Sequence, residues 1–216
     1  MKQNNITFER DTFKLSLLEG AELVGYYGFP KLKPNNIIDN VYALPFNYML
    51  STSSPERYYL HFYIDDYQFE RVWDKPHLYT ALLKQFKGVF APDFSLYLDM
   101  PKIYQIWNCY RSRALAYYWQ QNGINIIPNV TWSDEESFNW CFDGLPENSA
   151  VAVSSLGCMK NARSRLSFCK GYVEMCKRLK PTLIYFYGTI PESLKDDKRI
   201  IHIETYTQIK FNLKEI

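Results

Sequence analysis

The runs Ala150-Val151-Ala152-Val153 and Thr182-Leu183-Ile184-Tyr185-Phe186-Tyr187 flank a segment with helical periodicity from Arg163 to Leu179. Both runs are short and apolar, which is typical of strands that are covered on both faces. Two strands joined by a helix pair in parallel through a right-handed crossover. This unit therefore predicts an α/β fold. We expect its helix to face the core with Leu166, Cys169, Val173 and Cys176.

The same alternation of strands and helices extends over residues 58–216. Strands are predicted at Tyr59–Ile64, Gly88–Ala91, Ile124–Pro128, Ala150–Val153, Thr182–Tyr187 and Ile200–Ile203. Further helices are predicted at Pro76–Phe86, at Ile103–Gln121, and at Asp134–Phe142 behind a capping box of Ser133 and Glu136. We predict an α/β fold with a parallel sheet of about six β/α units. A reduced or distorted (β/α) barrel is favoured over an open doubly wound sheet.

Residues 1–57 lack sustained periodicity and are punctuated by glycine and proline. Their apolar stretches at 15–18 and 41–44 still require burial, so we expect them to pack onto the rest of the chain. The prediction is a single α/β domain over residues 1–216. In it, residues 1–57 form a packed N-terminal wrapping segment that could complete a barrel, and residues 58–216 form the β/α core.

Composition excludes several classes of protein. The 216 residues are 47% hydrophobic and 22% charged, without an apolar run of the ~20 residues that cross a bilayer. The N-terminus lacks the apolar core of a secretory signal, and five cysteines do not suggest a disulfide scaffold, so we expect an intracellular, cytoplasmic protein without a membrane partner. A net charge of +2 provides no global attraction to nucleic acid. Three histidines and no C-x-x-C pattern disfavour zinc.

Carboxylates follow two consecutive predicted strands. Asp65 and Asp66 come after the first strand, and Asp93 comes after the second. Because ligands gather at the carboxyl ends of parallel strands, we predict Asp65, Asp66 and Asp93 as catalytic acids or bases, or as ligands of Mg²⁺ or Mn²⁺. The alternative is that they only organise turns and caps.

Other polar and aromatic residues at the strand ends are predicted to bind substrate. Asn129 would orient it, and Trp132 would stack on it or else bury against the following helix. Ser154 and Ser155 would offer hydroxyls to an anion. Tyr187 and Arg71 complete the predicted substrate-binding residues. The basic cluster that begins with Lys160 is either a solvated face or a site for a phosphate-bearing partner.

Two strings carry a resemblance to a known family. They are Asp65-Asp66-Tyr67-Gln68-Phe69-Glu70-Arg71 and Pro92-Asp93-Phe94-Ser95. The sequence from about 45 to 190 resembles a family of uncharacterised proteins, a domain of unknown function, found in bacterial genomes, phages and mobile elements. The resemblance implies no activity or catalytic residue. It implies the cytoplasm of a bacterium or a phage-infected cell, and it favours nucleotides, nucleic acid or host-defence proteins as partners.

Two functions remain open. The first is an enzyme that acts on a nucleotide or nucleic acid at a carboxylate-lined pocket at the strand ends. The second is a non-catalytic phage or mobile-element protein that sequesters a nucleotide signal or a host protein. Sequence patterns do not distinguish the two, because a catalytic carboxylate and a loop-capping carboxylate follow a strand in the same way.

Overall fold

A computed structural model describes residue 11, residues 13–35 and residues 41–204. All six predicted strands are present in it, most of them shorter than predicted. The strands are β1 (Leu23–Val24), β2 (Phe29–Pro30), β3 (Ala43–Pro45), β4 (Tyr59–His61), β5 (Gly88–Phe90), β6 (Ile126–Ile127), β7 (Ala150–Ser154), β8 (Leu183–Tyr187) and β9 (Ile200–Ile203). The α-helices are α1 (Arg71–Asp74), α2 (Pro76–Leu83), α3 (Lys102–Gln121) and α4 (Ala162–Leu179). Short 3-10 turns occupy several of the remaining connections.

Seven strands run parallel in the order of the sequence. β3, β4, β5 and β6 form one parallel sheet, and β7, β8 and β9 form another. A parallel bridge between Asn129 and Ala152 joins the two sheets, with the Val130 N–H donating to the Ala152 carbonyl over 2.9 Å. The prediction of an α/β fold with parallel strands is confirmed. The described part of residues 1–57 also contributes a strand, β3, to this sheet.

Aromatic side chains cluster on one face of the sheet. The rings of His61 on β4 and Tyr187 on β8 lie 4.6 Å apart, and those of Phe90 on β5 and Tyr185 on β8 lie 6.1 Å apart. β4 and β8 have three strands between them, which would separate them by about 19 Å in a flat sheet. The sheet therefore curves around this cluster. Among the described strands, β3 and β9 each have one hydrogen-bonded neighbour, so these bonds do not close a ring.

The helices cover the opposite face of the sheet. Leu60, Phe62 and Val89 point to this side and pack with buried residues of α3 such as Leu115 and Trp119. α3 ends at Gln121, as the Asn122-Gly123 pair predicts, because Gly123 adopts a φ of 79° that favours glycine. Along the described chain, no helix is both long enough and apolar enough to cross a bilayer.

The predicted core face of α4 is wrong. Leu166 is 58% exposed and Val173 is 63% exposed, whereas Phe168, Tyr172 and Met175 are buried. The helix carries two apolar stripes with helical spacing, and the stripe with the larger aromatic rings is buried against Phe186 and Trp132. Burying the larger rings removes more apolar area from water, which decides the rotation of the helix.

The predicted helix over 134–142 is also wrong. Residues Glu135–Asn139 form a 3-10 helix, and its N-cap is Asp134, whose side chain accepts the N–H of Ser137. Ser133 therefore does not cap it. The Ser133 hydroxyl instead donates to the Gln105 side chain on α3 over 2.5 Å, which removes it from the predicted capping box.

Candidate functional site

A cavity of about 380 Å³ opens at the carboxyl ends of β5, β6 and β7. The first turns of α4 form its remaining wall. Its volume lies in the range of small-molecule sites. The position agrees with the rule that parallel sheets bind ligands beyond the carboxyl ends of their strands. Its lining includes Asp93, Ser95, Tyr97, Thr131, Trp132, Ser133, Ser154, Cys158, Lys160, Asn161, Ser164, Ser167 and Phe168.

Asp93, which follows β5, is held by hydrogen bonds from two residues that follow the neighbouring strand β6. The Thr131 hydroxyl donates to its Oδ1 over 2.7 Å, and the Asn129 amide Nδ2 donates to the same oxygen over 2.8 Å. Asn129 also donates to Thr131 Oγ1 over 2.9 Å, and its Oδ1 accepts the hydroxyl of Tyr63 over 2.9 Å. We call Tyr63, Asn129, Thr131 and Asp93 the Asp93 network.

The carboxyl group of Asp93 has an altered affinity for protons. Burial raises the pKa of Asp93 to about 6, and the nearby Asp66 carboxylate acts in the same direction. The hydrogen bonds from Thr131 and Asn129 oppose that rise, because they stabilise the charged form. A carboxyl group with such a pKa can both release and take up a proton near neutral pH, which is the property of a catalytic acid or base.

The Asp93 network continues beneath the cavity into the aromatic cluster. The ring of Tyr63 stacks on Tyr187 at 4.8 Å and on His61 at 5.3 Å. His61 is fully buried, its Nδ1 accepts the backbone N–H of Tyr63, and burial lowers the pKa of His61 to about 3. His61 is therefore neutral at physiological pH. The Tyr63 side chain is thus anchored by two neighbouring rings and by the hydrogen bond of its hydroxyl group.

The three predicted carboxylates do not form one cluster that could hold a metal ion. Asp65 is exposed and does not line the cavity. Asp66 accepts hydrogen bonds from the backbone N–H and the hydroxyl of Ser95, at 3.1 Å and 2.8 Å, and so holds the loop after β5. Within residues 11, 13–35 and 41–204, no three His, Cys, Asp or Glu side chains are grouped to hold a metal ion. Asp93 alone of the three lines the cavity.

Two of the predicted substrate-binding residues line the cavity as expected. Trp132 forms part of its wall but is buried, packing on Phe168 at 5.2 Å and directly against Gly171. Of the two roles that the sequence left open, burial against a helix is observed, although the helix is α4, and stacking on a substrate stays a prediction. Ser154 also lines the cavity, and its hydroxyl accepts the N–H of Leu156 over 3.2 Å.

Four other predicted binding residues lie outside the cavity lining. The buried Ser155 hydroxyl donates to the Thr189 carbonyl, and Tyr187 belongs to the aromatic cluster below. Arg71 is exposed on α1, with its guanidinium 5.0 Å from the centre of the Phe46 ring. Asn129 lies just beneath the cavity and contacts it through Asp93.

Sequence reasoning missed Tyr63 and Thr131. Tyr63 lies inside the first predicted strand, where a tyrosine resembles any other large core residue. The available signal was alternation: Tyr59, His61 and Tyr63 are spaced two apart and share one face of the sheet. Thr131 was recognisable only by its position two residues after Asn129, on the same side of the extended chain.

Comparison with known proteins gives a family for the chain. Residues 21–207 match the model of the domain of unknown function DUF4417. The chain belongs to this family. The match includes the strands of the curved sheet and the whole cavity lining. No solved structure matches the chain significantly.

The family occurs in bacteriophages. The chain is 40% identical over 147 residues to the Gene 1 protein of Mycobacterium phage L5, an alignment that covers 68% of this chain and 63% of the phage protein. It is 37% identical over 147 residues to the Gene 1 protein of Mycobacterium phage D29, covering 68% of this chain and 54% of that protein. The chain thus spans less than two thirds of these curated relatives. The resemblance to an uncharacterised phage-associated family is confirmed.

Proposed function

We propose that this protein is an enzyme that acts on a nucleotide or a nucleic-acid end, with Asp93 as its catalytic acid or base. The observation that carries this proposal is a carboxyl group with a pKa near 6 that lines a cavity of about 380 Å³ at the carboxyl ends of parallel strands. A carboxylate that only organised a loop would gain nothing from this raised pKa. Active sites are where such shifts concentrate.

The other cavity residues support a ligand with polar and planar parts. Hydroxyl groups of Ser95, Thr131 and Ser154 surround the cavity, and Trp132 and Phe168 supply aromatic wall. Such a wall suits a nucleobase, because every base has a face that stacks on aromatic rings. Lys160 at the cavity rim is exposed and forms no ion pair with any described residue, so its charge is available to a phosphate group.

The alternative is a binding protein that sequesters a nucleotide or a host protein without turnover. What favours it is exposed aromatic surface: Tyr97, which lines the cavity, is 61% exposed, and Tyr104 in the first turn of α3 is 59% exposed. Exposed tyrosines are enriched where proteins bind partners. In that case Asp93 would affect affinity and nothing else.

The test compares the wild type with Asp93→Asn and with Asp65→Asn, which removes an exposed carboxylate outside the cavity. Each protein is incubated with ribo- and deoxyribonucleosides, their mono- and triphosphates, and short single-stranded DNA and RNA. Binding is measured by thermal shift and products by mass spectrometry. We expect turnover that falls by about 10²–10⁴-fold in Asp93→Asn and is unchanged in Asp65→Asn.

Two other results would each contradict part of the proposal. A ligand that binds the wild type and Asp93→Asn equally, with no product from either, favours the sequestering protein. If no nucleotide or oligonucleotide shifts the melting temperature at millimolar concentration, the assignment of the substrate class is wrong.

We further propose that the curved sheet is an incomplete (β/α) barrel, and that the protein works in the cytoplasm of a bacterium or a phage-infected host. The ring contacts of β4 and β5 with β8 in the aromatic cluster support the barrel. The similarity to two mycobacteriophage proteins supports the setting. Whether Mg²⁺ or Mn²⁺ takes part is decided by repeating the turnover assay with each ion and with a chelator.

A further inference from the structure

The two oxygens of the Asp93 carboxyl group have different surroundings. Oδ1 accepts both the Thr131 hydroxyl and the Asn129 amide. No group among the described residues donates a hydrogen bond to Oδ2. An oxygen that already accepts two hydrogen bonds is a poor base, because its lone pairs are engaged. The free oxygen is therefore the one that can exchange a proton with a ligand in the cavity.

The orientation of the Asn129 amide decides this asymmetry. Its Nδ2 faces Asp93 only if its Oδ1 faces the opposite way. There the Tyr63 hydroxyl donates to Oδ1 over 2.9 Å. If the amide turned over, its oxygen would face the Asp93 oxygen, and two acceptors would meet without a proton between them. Ionised Asp93 only accepts hydrogen bonds, so it takes the Nδ2 side of the amide, and the Tyr63 hydroxyl holds that orientation by donating to Oδ1.

Tyr63 itself does not line the cavity. It is buried, and its ring contacts the rings of both His61 and Tyr187, which also contact each other. The backbone carbonyl of Asn129 accepts the guanidinium of the buried Arg113 over 3.3 Å, which fixes the other end of the same residue. With the Asn129 backbone held by Arg113 of α3 and the Nδ2 end of its amide held by Asp93, the hydrogen bond from Tyr63 fixes the Oδ1 end of the amide.

We propose that Tyr63 is the positioning residue of Asp93: through Asn129 it holds Oδ1 and leaves Oδ2 as the oxygen that reacts with the ligand. This inference rests on the proposed function only for the statement that Oδ2 reacts with a ligand. The hydrogen bonds that link Tyr63 to Asp93 do not depend on it. It predicts that Tyr63 acts on the proton affinity of Asp93 from a distance, without contacting the ligand.

Several titratable groups surround Asp93 and bear on any test by pH. Asp66 approaches from the turn after β4, and its charge raises the pKa of Asp93. Cys109 on α3 and Cys158 after β7 feel the charge of Asp93, and burial raises the pKa of each thiol to about 11. Tyr63 has a pKa well above its usual value. Neither thiol ionises between pH 4 and 8, and neither does the Tyr63 hydroxyl.

The experiment is a ¹³C NMR titration of the Asp93 carboxyl carbon in the full chain without ligand, assigned by comparison with Asp93→Asn. We expect Tyr63→Phe to raise the pKa of Asp93 by about one unit, a tenfold change in its ionisation constant, because the amide loses its fixed orientation. The control is Tyr59→Phe, which alters a buried ring four residues earlier on the same face of the sheet. It should leave the pKa unchanged.

A second measurement on the wild type keeps the proposal testable if Tyr63→Phe does not fold. The chemical shifts of the Asn129 side-chain amide ¹⁵N and of the Tyr63 ring Cζ should both change as Asp93 is protonated, with the same apparent pKa. The reason is that the three groups share one chain of hydrogen bonds. Absence of these shifts, or an equal pKa change in Tyr63→Phe and Tyr59→Phe, overturns the proposal. Because no substrate is used, this outcome is independent of whether the protein proves to be an enzyme.

Discussion

Asn129 donates its amide to the carboxylate of Asp93 over 2.8 Å, from a position 36 residues later in the chain. The two residues follow β6 and β5, which are hydrogen-bonded neighbours in the sheet. Parallel pairing alone therefore brings them together, and the connection through α3 accounts for their separation in the sequence. A rigid sheet edge positions a polar pair more reproducibly than two surface loops do.

The first prediction concerns stability and pH. The pKa of Asp93 is raised to about 6 in the folded chain, from 3.8 for an ordinary aspartate. The folded state therefore binds the proton more tightly, and the stability that Asp93 contributes is complete below pH 4 and is lost as the pH rises through 6. Asp93→Asn does not titrate, and its Oδ1 can still accept both hydrogen bonds.

We expect Asp93→Asn to gain stability relative to the wild type between pH 4 and pH 7, by at most about 3 kcal/mol. The measurement is urea unfolding of both proteins at pH 4, 5.5 and 7. The contributions of other titrating groups cancel when the free energies of unfolding of the two proteins are subtracted. Parallel stability curves for the two proteins would show that Asp93 has an ordinary pKa.

The sequence predicted the location of the site better than the identity of its residues. Asp93, Trp132 and Ser154 line the cavity because each follows an apolar strand, and strand ends are visible as the point where an apolar run stops. Asp65 and Asp66 satisfy the same rule, yet a turn directs Asp65 to the surface and Asp66 to the Ser95 loop. The direction of a side chain in a turn depends on backbone angles that no periodicity records.

The rotation of α4 could not be predicted for a different reason. Its two apolar stripes have the same spacing, and only the partner surface distinguishes them. That surface includes Trp132 and Phe186, which come from segments before and after the helix. Gly171 was the one local signal, since a helix interior favours glycine only where something packs closely against it.

The second prediction tests that close packing. A Cβ at residue 171 would lie 2.1 Å from Nε1 of Trp132. Alanine normally stabilises a helix by about 1 kcal/mol relative to glycine. We expect Gly171→Ala to have the opposite effect and to destabilise the protein by about 1–3 kcal/mol, because Trp132 must move or α4 must shift. Chemical denaturation followed by tryptophan fluorescence measures the free energy of unfolding of each variant. The control is Lys170→Ala, which changes an exposed side chain next to Gly171. A more stable Gly171→Ala protein would contradict the packing of Trp132 on α4.

The third prediction concerns an ion pair that stabilises the connection between β8 and β9. Arg199 donates to both oxygens of Asp197, at 2.9 Å and 2.6 Å, and the Tyr172 hydroxyl on α4 donates to the same carboxylate over 2.8 Å. The hydrogen bonds from Arg199 lower the pKa of Asp197 to about 2. Its contribution to stability is therefore present above pH 4 and is lost as the pH falls toward 2.

We expect Asp197→Asn to destabilise the protein by about 1–2 kcal/mol at pH 7 and to have little effect near pH 2. Thermal melts across this pH range compare it with Asp196→Asn, which changes the exposed neighbouring carboxylate. An equal loss at pH 7 and pH 2 would mean that the contribution of Asp197 is not electrostatic.

The last prediction uses Cys158 as a reporter of the charge on Asp93. Cys158 lines the cavity and is half-buried, and burial together with the Asp93 charge raises the pKa of its thiol to about 11. Only the thiolate reacts with iodoacetamide, so labelling at pH 7.5 should be about 100-fold slower at Cys158 than at an exposed cysteine of ordinary pKa.

Asp93→Asn removes the negative charge and should accelerate labelling several-fold, whereas Asp65→Asn should leave the rate unchanged. Mass spectrometry of the Cys158 peptide measures each rate, and the buried Cys109 and Cys141 should stay unlabelled as long as the fold is intact. Equal rates in the wild type and Asp93→Asn would mean that Asp93 does not influence the cavity wall at Cys158. A nucleotide that binds in the cavity should also slow labelling, since it would cover the thiol and exclude the reagent.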